Sequence, residues 1–418
     1  MRILAFLLMT CCAFGQSPED RTKQILDQLL ANKIGAVYAN FSPAMKSAVS
    51  QETYTAQMAQ IVALGAPQKI DAPRTQTVGD LTVVVIGVHW APVSLDCKVA
   101  WNKAGEIDGQ FWSPATAASN YQSAPYVHPD SFTSIDLTVG DEAWKLPGTL
   151  TMPKGDAPFP ALVLVHGSGP NDRDESVGGA KVFRDLAEGL ASRGIAVLRY
   201  EKRTRQYPQQ CAADAEFTVH QETVEDAARA AALLRMQAKI DPARVFVLGH
   251  SLGGYMAPRI LRLDPKIAGF VVMAGNVRPL EELIVDQTEY IASLEDNLTA
   301  EDQTRLAEIR KNPFAGMNVP APYLVDLKGY RPNVEAKSLN IPMLILQGER
   351  DYQVTMKDFD LWKSELQARR NVRFRTYPRL NHLFIAGEGK SRPEEYQQPG
   401  HVDEQVISDI ANWILHNQ

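Results

Sequence analysis

The chain has 418 residues, 45% of them hydrophobic and 22% charged, with a formal net charge of −6. These are proportions of a globular protein of two or three domains, not of a disordered chain, a collagen-like repeat or a rod. No basic run of nucleic-acid-binding length occurs, so a nucleic-acid partner is not expected.

The first residues read as a leader. Arg2 precedes the apolar run Ile3 to Met9, and Ala13-Phe14-Gly15 is a small-x-small site. Residues 1–15 are therefore assigned to a secretory signal with cleavage before Gln16, and an exported protein, periplasmic or secreted, is expected. Leu8-Met9-Thr10-Cys11 resembles a lipoprotein box, but Thr10 stands where a smaller residue is usual, so a lipid anchor is not preferred. No later stretch is apolar and long enough to cross a bilayer, so no stable membrane insertion is expected. Of four cysteines, Cys11 and Cys12 leave with the leader. Cys97 is assigned to a core and Cys211 to a loop, with a pairing between them left open.

Next comes a small α+β domain, residues 16–120. Ile25, Leu26, Leu29 and Leu30 define a helix over 17–31. A second helical stretch ends where Gly65 and Pro67 stop it. Leu81 to Trp90 and the alternation Leu95, Cys97, Val99, Trp101 are strands, and Lys103-Ala104-Gly105 turns into Ile107–Phe111. Pro114, Ser119, Asn120 and Pro125 mark a linker.

From residue 126 the pattern changes. After strands at 132–139 and 146–152, short apolar runs follow at 161–165, 195–198, 245–248, 270–273, 343–346 and 372–377. Helices at 181–192, 222–237, 252–263 and 357–369 separate most of them. Alternation of this kind indicates a parallel sheet covered on both faces. Residues 276–340 interrupt it. Leu280, Leu283, Ile284, Gln287, Ile291 and Leu294 share a helical face there, so the insertion is read as a helical cap, and Val406–Ile414 as a closing helix.

The chemistry concentrates at Gly249-His250-Ser251-Leu252-Gly253, directly after the strand Val245–Leu248. This is a nucleophile elbow, in which a serine sits on a sharp strand-to-helix turn and glycines two residues either side let strand and helix approach. Serine needs a base to take its proton. Of the histidines that follow, His382 lies just past the strand 372–377, where catalysis belongs in such sheets. It is preferred to His401, in a Pro-Gly loop, and to the near-terminal His416. The orienting acid follows the strand 341–347; Asp351 is preferred to Glu349 and to Asp326. The glycine-rich turn His166-Gly167-Ser168-Gly169-Pro170 follows another strand, so the backbone amides of Ser168 and Leu252 are assigned to an oxyanion hole, with Gly169 as fallback and His166 as a support. Asp172, Arg173, Asp174 and Glu175 are placed at the rim, as a solvated loop or substrate contacts. No metal-binding spacing and no phosphate-loop lysine occur, so no cofactor or metal is expected.

These motifs, together with Leu146-Pro147-Gly148-Thr149-Leu150-Thr151-Met152-Pro153 and Gln347-Gly348-Glu349-Arg350-Asp351, resemble the alpha/beta-hydrolase superfamily over residues 130–418. The pattern is similar to exported esterases of a group labelled serine aminopeptidase-like or dienelactone-hydrolase-like. Residues 20–115, with Phe41-Ser42-Pro43-Ala44-Met45-Lys46, resemble a small domain of unknown function that often precedes such hydrolases and is similar to folds that bury a pocket or dimerise. The resemblance implies an alpha/beta-hydrolase fold over 126–418, with a mostly parallel sheet and a cap at 276–340. It implies a serine hydrolase of small carboxylic esters acting through an acyl-serine. A serine peptidase, with Glu281, Glu282 or Asp286 receiving a free amino terminus, and an acyltransferase or thioesterase are the alternatives; a non-catalytic binding protein ranks last. Homo-oligomerisation stays open.

Overall fold

The computed structural model describes residues 17–78, 80–90, 93–114, 121–295, 297–314 and 320–416. The leader assigned to 1–15 lies outside them. The chain divides into two compact units, residues 1–119 and 120–418.

In the first unit, helices Pro18–Leu30, Ile34–Ala39, Pro43–Ala48 and Gln51–Val62 precede an antiparallel sheet of β1 (Lys69–Ile70), β2 (Arg74–Val78), β3 (Leu81–His89), β4 (Ser94–Trp101) and β5 (Ile107–Pro114). The single helical stretch expected before Leu64 is three helices. Ser42 and Ser50 each accept a backbone N–H three residues on, and an accepting serine at that position starts a new helix. Leu26, Leu29, Val37 and Phe41 pack on Val84, Ile86, Val99 and Trp101 to form this unit's core. Cys97 is fully buried there, whereas Cys211 belongs to the second unit; both thiols are free.

The second unit is built on eight strands. They are β6 (Phe132–Gly140), β7 (Lys145–Pro153), β8 (Phe159–Val165), β11 (Ala196–Tyr200), β12 (Ile240–His250), β13 (Phe270–Met273), β14 (Met343–Gly348) and β15 (Val372–Tyr377). A separate small hairpin joins β9 (Ser176–Val177) to β10 (Ala180–Lys181). The order across the large sheet is β15-β14-β13-β12-β8-β11-β7-β6. From β11 to β15 every pairing is parallel, while β6 and β7 close one side antiparallel.

Because successive side chains on a strand face opposite ways, an all-apolar strand feeds two cores. Ala161, Val163 and Val165 pack with Leu234, Ile260 and Trp362 on one face. Leu162 and Leu164 pack with Phe183, Leu186, Ile407 and Ile410 on the other. The helices Asp226–Arg235, Ala257–Leu263 and Met356–Leu366 thus cover the first face, and Val182–Ala191 and Glu404–His416 the second.

Register brings the strand ends together. Val165 lies beside Gly249, His250 beside Met273, and Met273 beside Leu346. Gly348 in turn lies beside Tyr377. The loops leaving β8, β12, β14 and β15 therefore emerge at one sheet edge. Between β13 and β14 lie the cap helices Leu280–Ala292, Ala300–Lys311, Ala321–Leu327 and Pro332–Ala336. Arg278 anchors the cap's start on Asp358, and Arg259 holds Asp326 at 2.9 Å. Among the described residues no helix is long and apolar enough to cross a membrane.

Candidate active site

Ser251 has φ +50° and ψ −113°, a conformation sparsely populated by residues with a side chain. The crossing that holds it admits no extra atom. A Cβ on Gly249 would lie 2.2 Å from the Gly253 carbonyl carbon, and one on Gly253 would lie 2.3 Å from the Val165 oxygen. The two glycines of the pentapeptide are thus required by backbone-to-backbone contact. Ser251 N–H donates to Met273 O at 2.9 Å, which ties the elbow to the neighbouring strand.

His382 follows β15 and Asp351 follows β14. His382 Nδ1 lies 2.7 Å from Asp351 Oδ2. Asp351 Oδ1 accepts the backbone N–H groups of Gln353 and Val354, and Gln347 donates to Oδ2, so the carboxylate is fixed from several sides. Aspartate on Nδ1 leaves Nε2 as the free ring nitrogen, the tautomer a base requires.

Ser251, His382, Ser168 and His250 line one cavity of about 840 Å³. The cap supplies Leu280, Leu283, Ile284, Gln287, Phe314 and Tyr323 to its wall. Leu252 opens the helix after Ser251. Among the described residues, neither its N–H nor that of Ser168 donates to a backbone acceptor. Gly167 lies against the elbow, since a Cβ there would be 3.2 Å from that of Ser251. His166 is buried and its Nε2 meets Asp172 O at 3.1 Å, as a support for this loop should. Burial holds its pKa down to about 4, although Glu175 pulls the other way.

Residues 157–389 match the serine aminopeptidase S33 family. Esterase EstD of Thermotoga maritima is 45% identical over 327 residues, 77% of this chain and 76% of its own length. The chain belongs to the S33 family. Among solved structures, an esterase of Pyrococcus furiosus aligns over 72% of this chain and 97% of its own at 17% identity and a TM-score of 0.47. Est1E of Butyrivibrio proteoclasticus aligns over 68% and 98% at 14% identity and a TM-score of 0.45. The S33 match spans the elbow, the glycine-rich turn, Asp351 and His382, and so covers the site just described.

Two sequence expectations within this S33 unit are corrected. Asp172 to Glu175 are not a solvated rim. Asp174 is paired with Lys181 and Arg199, and Arg173 with Glu201. Glu175 is buried with φ +46°, and its Oε1 accepts the Gly167 N–H at 2.7 Å. Cys211 sits on the short helix Pro208–Ala213 rather than in a loop. Among the aromatic residues of the cap, Phe314 and Tyr323 line the cavity. Tyr290 stacks on Tyr352 instead, and Tyr330 packs edge-on against Tyr255.

Sequence reading also missed a set of buried charges behind the site. His250 Nδ1 meets Glu175 Oε2 at 3.0 Å, as charges in contact rather than as an aligned hydrogen bond. Its Nε2 meets the His382 carbonyl at 3.0 Å. Burial opposes the His250 charge, but the Glu175 carboxylate outweighs it and the pKa is raised; the same contact holds Glu175 low against its own burial. Lys202 and Glu222, 3.3 Å apart, form a second buried pair. One local signal did exist for Lys202: a lysine just past the end of an apolar parallel strand stands at the edge where such sheets bind.

Proposed function

We propose that this chain is a serine-dependent hydrolase of carboxylic esters, with Ser251 as nucleophile, His382 as base and Asp351 as its orienting acid. The observation that carries the reading is the 2.7 Å contact between His382 and Asp351, beside a cavity that also receives Ser251 on its strained elbow. His382 Nε2 takes the hydroxyl proton as Ser251 Oγ bonds to the ester carbonyl carbon. The resulting oxyanion is received by the backbone N–H groups of Ser168 and Leu252. Collapse breaks the bond to the alcohol oxygen, which leaves with the proton from His382. Water then attacks the acyl-serine with His382 again as base, releasing the acid and restoring Ser251.

The esterase name of the 45% identical relative supports ester over amide substrates. So does the charge state of the cavity. An aminopeptidase needs a carboxylate available to an incoming ammonium. The two acidic residues of the wall are already engaged, Glu175 with Gly167 and His250, and Glu222 with Lys202, Thr204 and Tyr323. Of the cap acids offered for that role, Asp286 is held by Arg278 and Lys357, and Glu281 and Glu282 are exposed and absent from the described wall.

The test is turnover of short-acyl nitrophenyl esters against aminoacyl anilides, with a labelled fluorophosphonate to map the nucleophile. Ser251→Ala is expected to abolish both ester turnover and labelling while the fold persists. Residual turnover at the unaltered rate would refute the assignment, and faster anilide cleavage would move the reading to a peptidase.

A further inference from the structure

We propose that Lys202 is a positioning residue of the oxyanion hole, orienting and polarising the peptide whose N–H belongs to Ser168. This rests on the reading of Ser168 as an oxyanion donor. The Gly167 carbonyl and the Ser168 N–H are two ends of one planar peptide, and among the described residues the only cis bond is elsewhere, at Ala157–Pro158. In a trans peptide these two groups point in opposite directions. Lys202 Nζ donates to Gly167 O at 2.7 Å, and Asn171 Nδ2 donates to the same oxygen at 3.2 Å. On the preceding peptide, Gly167 N–H is held by Glu175 Oε1 at 2.7 Å. Two side chains thus hold this peptide and a third holds the one before it, and a cation pulling on the oxygen makes the opposite N–H a stronger donor.

The placement of the ammonium argues for this use. Lys202 is 2% exposed, and burying an ammonium is costly unless its partners repay it. Its nearest acceptor is nevertheless the neutral Gly167 carbonyl. The counter-ion Glu222 stands farther off at 3.3 Å. Glu222 does not depend on Lys202 for satisfaction, because Thr204 Oγ1 and Tyr323 OH each donate to it at 2.8 Å. A simple buried ion pair would place the ammonium closest to the carboxylate.

The experiment compares Lys202→Met/Glu222→Gln, in which no buried charge is left without its partner, with the unaltered chain, and adds Glu222→Gln alone, which removes the counter-ion but keeps the ammonium on Gly167. Steady-state hydrolysis of a nitrophenyl ester is measured alongside affinity for an alkyl boronic acid, whose tetrahedral anion would occupy the same donors. Expected is a fall in kcat of about 10- to 100-fold, below the loss for outright deletion of an oxyanion donor. KM should stay within about threefold, and boronate affinity should fall by the same factor as kcat/KM. Unchanged kcat, or a rise confined to KM, would overturn the role. If the double variant does not fold, Lys202→Gln keeps a neutral donor and should lower kcat several-fold with the same boronate correlation; no fall would overturn the role equally. Absence of ester turnover in the unaltered chain would instead sink the functional reading above, which separates the two failures.

Discussion

His166 and His250 show how two histidines on either side of one glutamate meet opposite fates. Both are buried, and burial alone disfavours the charged ring. His250 lies within 3.0 Å of Glu175 Oε2 and its pKa rises, whereas His166 meets only a backbone oxygen at hydrogen-bond distance and falls to about 4. In the unfolded chain a histidine titrates near 6.5, so between that pH and 4 the unfolded state takes up a proton at His166 that the fold does not. Its contribution is therefore complete above 6.5 and lost as pH falls towards 4, to the extent of about 3 kcal/mol. His166→Gln is expected to flatten the acid decline of the thermal midpoint across that window. An unchanged slope in calorimetry would mean that His166 does not titrate as assigned. The His250 contribution runs the other way, being full below 6.5 and fading at higher pH as the raised folded pKa is passed. The two therefore separate by pH.

At the scale of elements, the site depends on short irregular pieces attached to regular ones. The strand-to-helix crossing at Ser251 holds because glycine backbones touch. A π-helical turn, His220–Glu225, leads into the helix Asp226–Arg235 and carries Glu222 to the cavity wall; widened turns of this kind recur at functional sites. The cap helix Leu280–Ala292 presents Leu280, Leu283, Ile284 and Gln287, spaced three and four residues apart, to the same cavity. That stripe forms part of the cavity wall. Ile284→Trp is expected to lower kcat/KM for octanoyl esters by about 10-fold or more while acetyl esters lose little, since each methylene denied a pocket is worth about 1–3 kcal/mol. A profile across acyl lengths that falls uniformly would place the acyl chain elsewhere. The cap's remaining face carries Ile291, which the helical spacing had joined to the stripe but which is exposed.

For the whole molecule, every residue named at the site lies in residues 120–418, and that unit has its own two-sided core. The first unit likewise encloses its own core. Residues 120–418 expressed alone are expected to hydrolyse short esters within a few-fold of the full chain. Loss of turnover in a soluble, cooperatively melting fragment would give the first unit a part in the reaction.

The elements were readable where the signal is local. Four-residue apolar runs, a Gly-x-Ser-x-Gly turn and a histidine just past a strand each carry their meaning within about ten residues, because steric and periodic constraints act between near neighbours. The parallel sheet, the helical insertion and the strand ends that carry Ser251, Asp351 and His382 were legible on that account. What the folded chain alone decides is the pairing of charge. Asp174 meets Arg199 and Lys181, Glu175 meets His250, and Lys202 meets Gly167 and Glu222, in several cases across more than twenty positions of sequence. A charged tetrad, three acids and Arg173, reads as solvated until distant strands bring partners to it. Electrostatic attraction depends on separation in space, and no pattern along a chain encodes that distance.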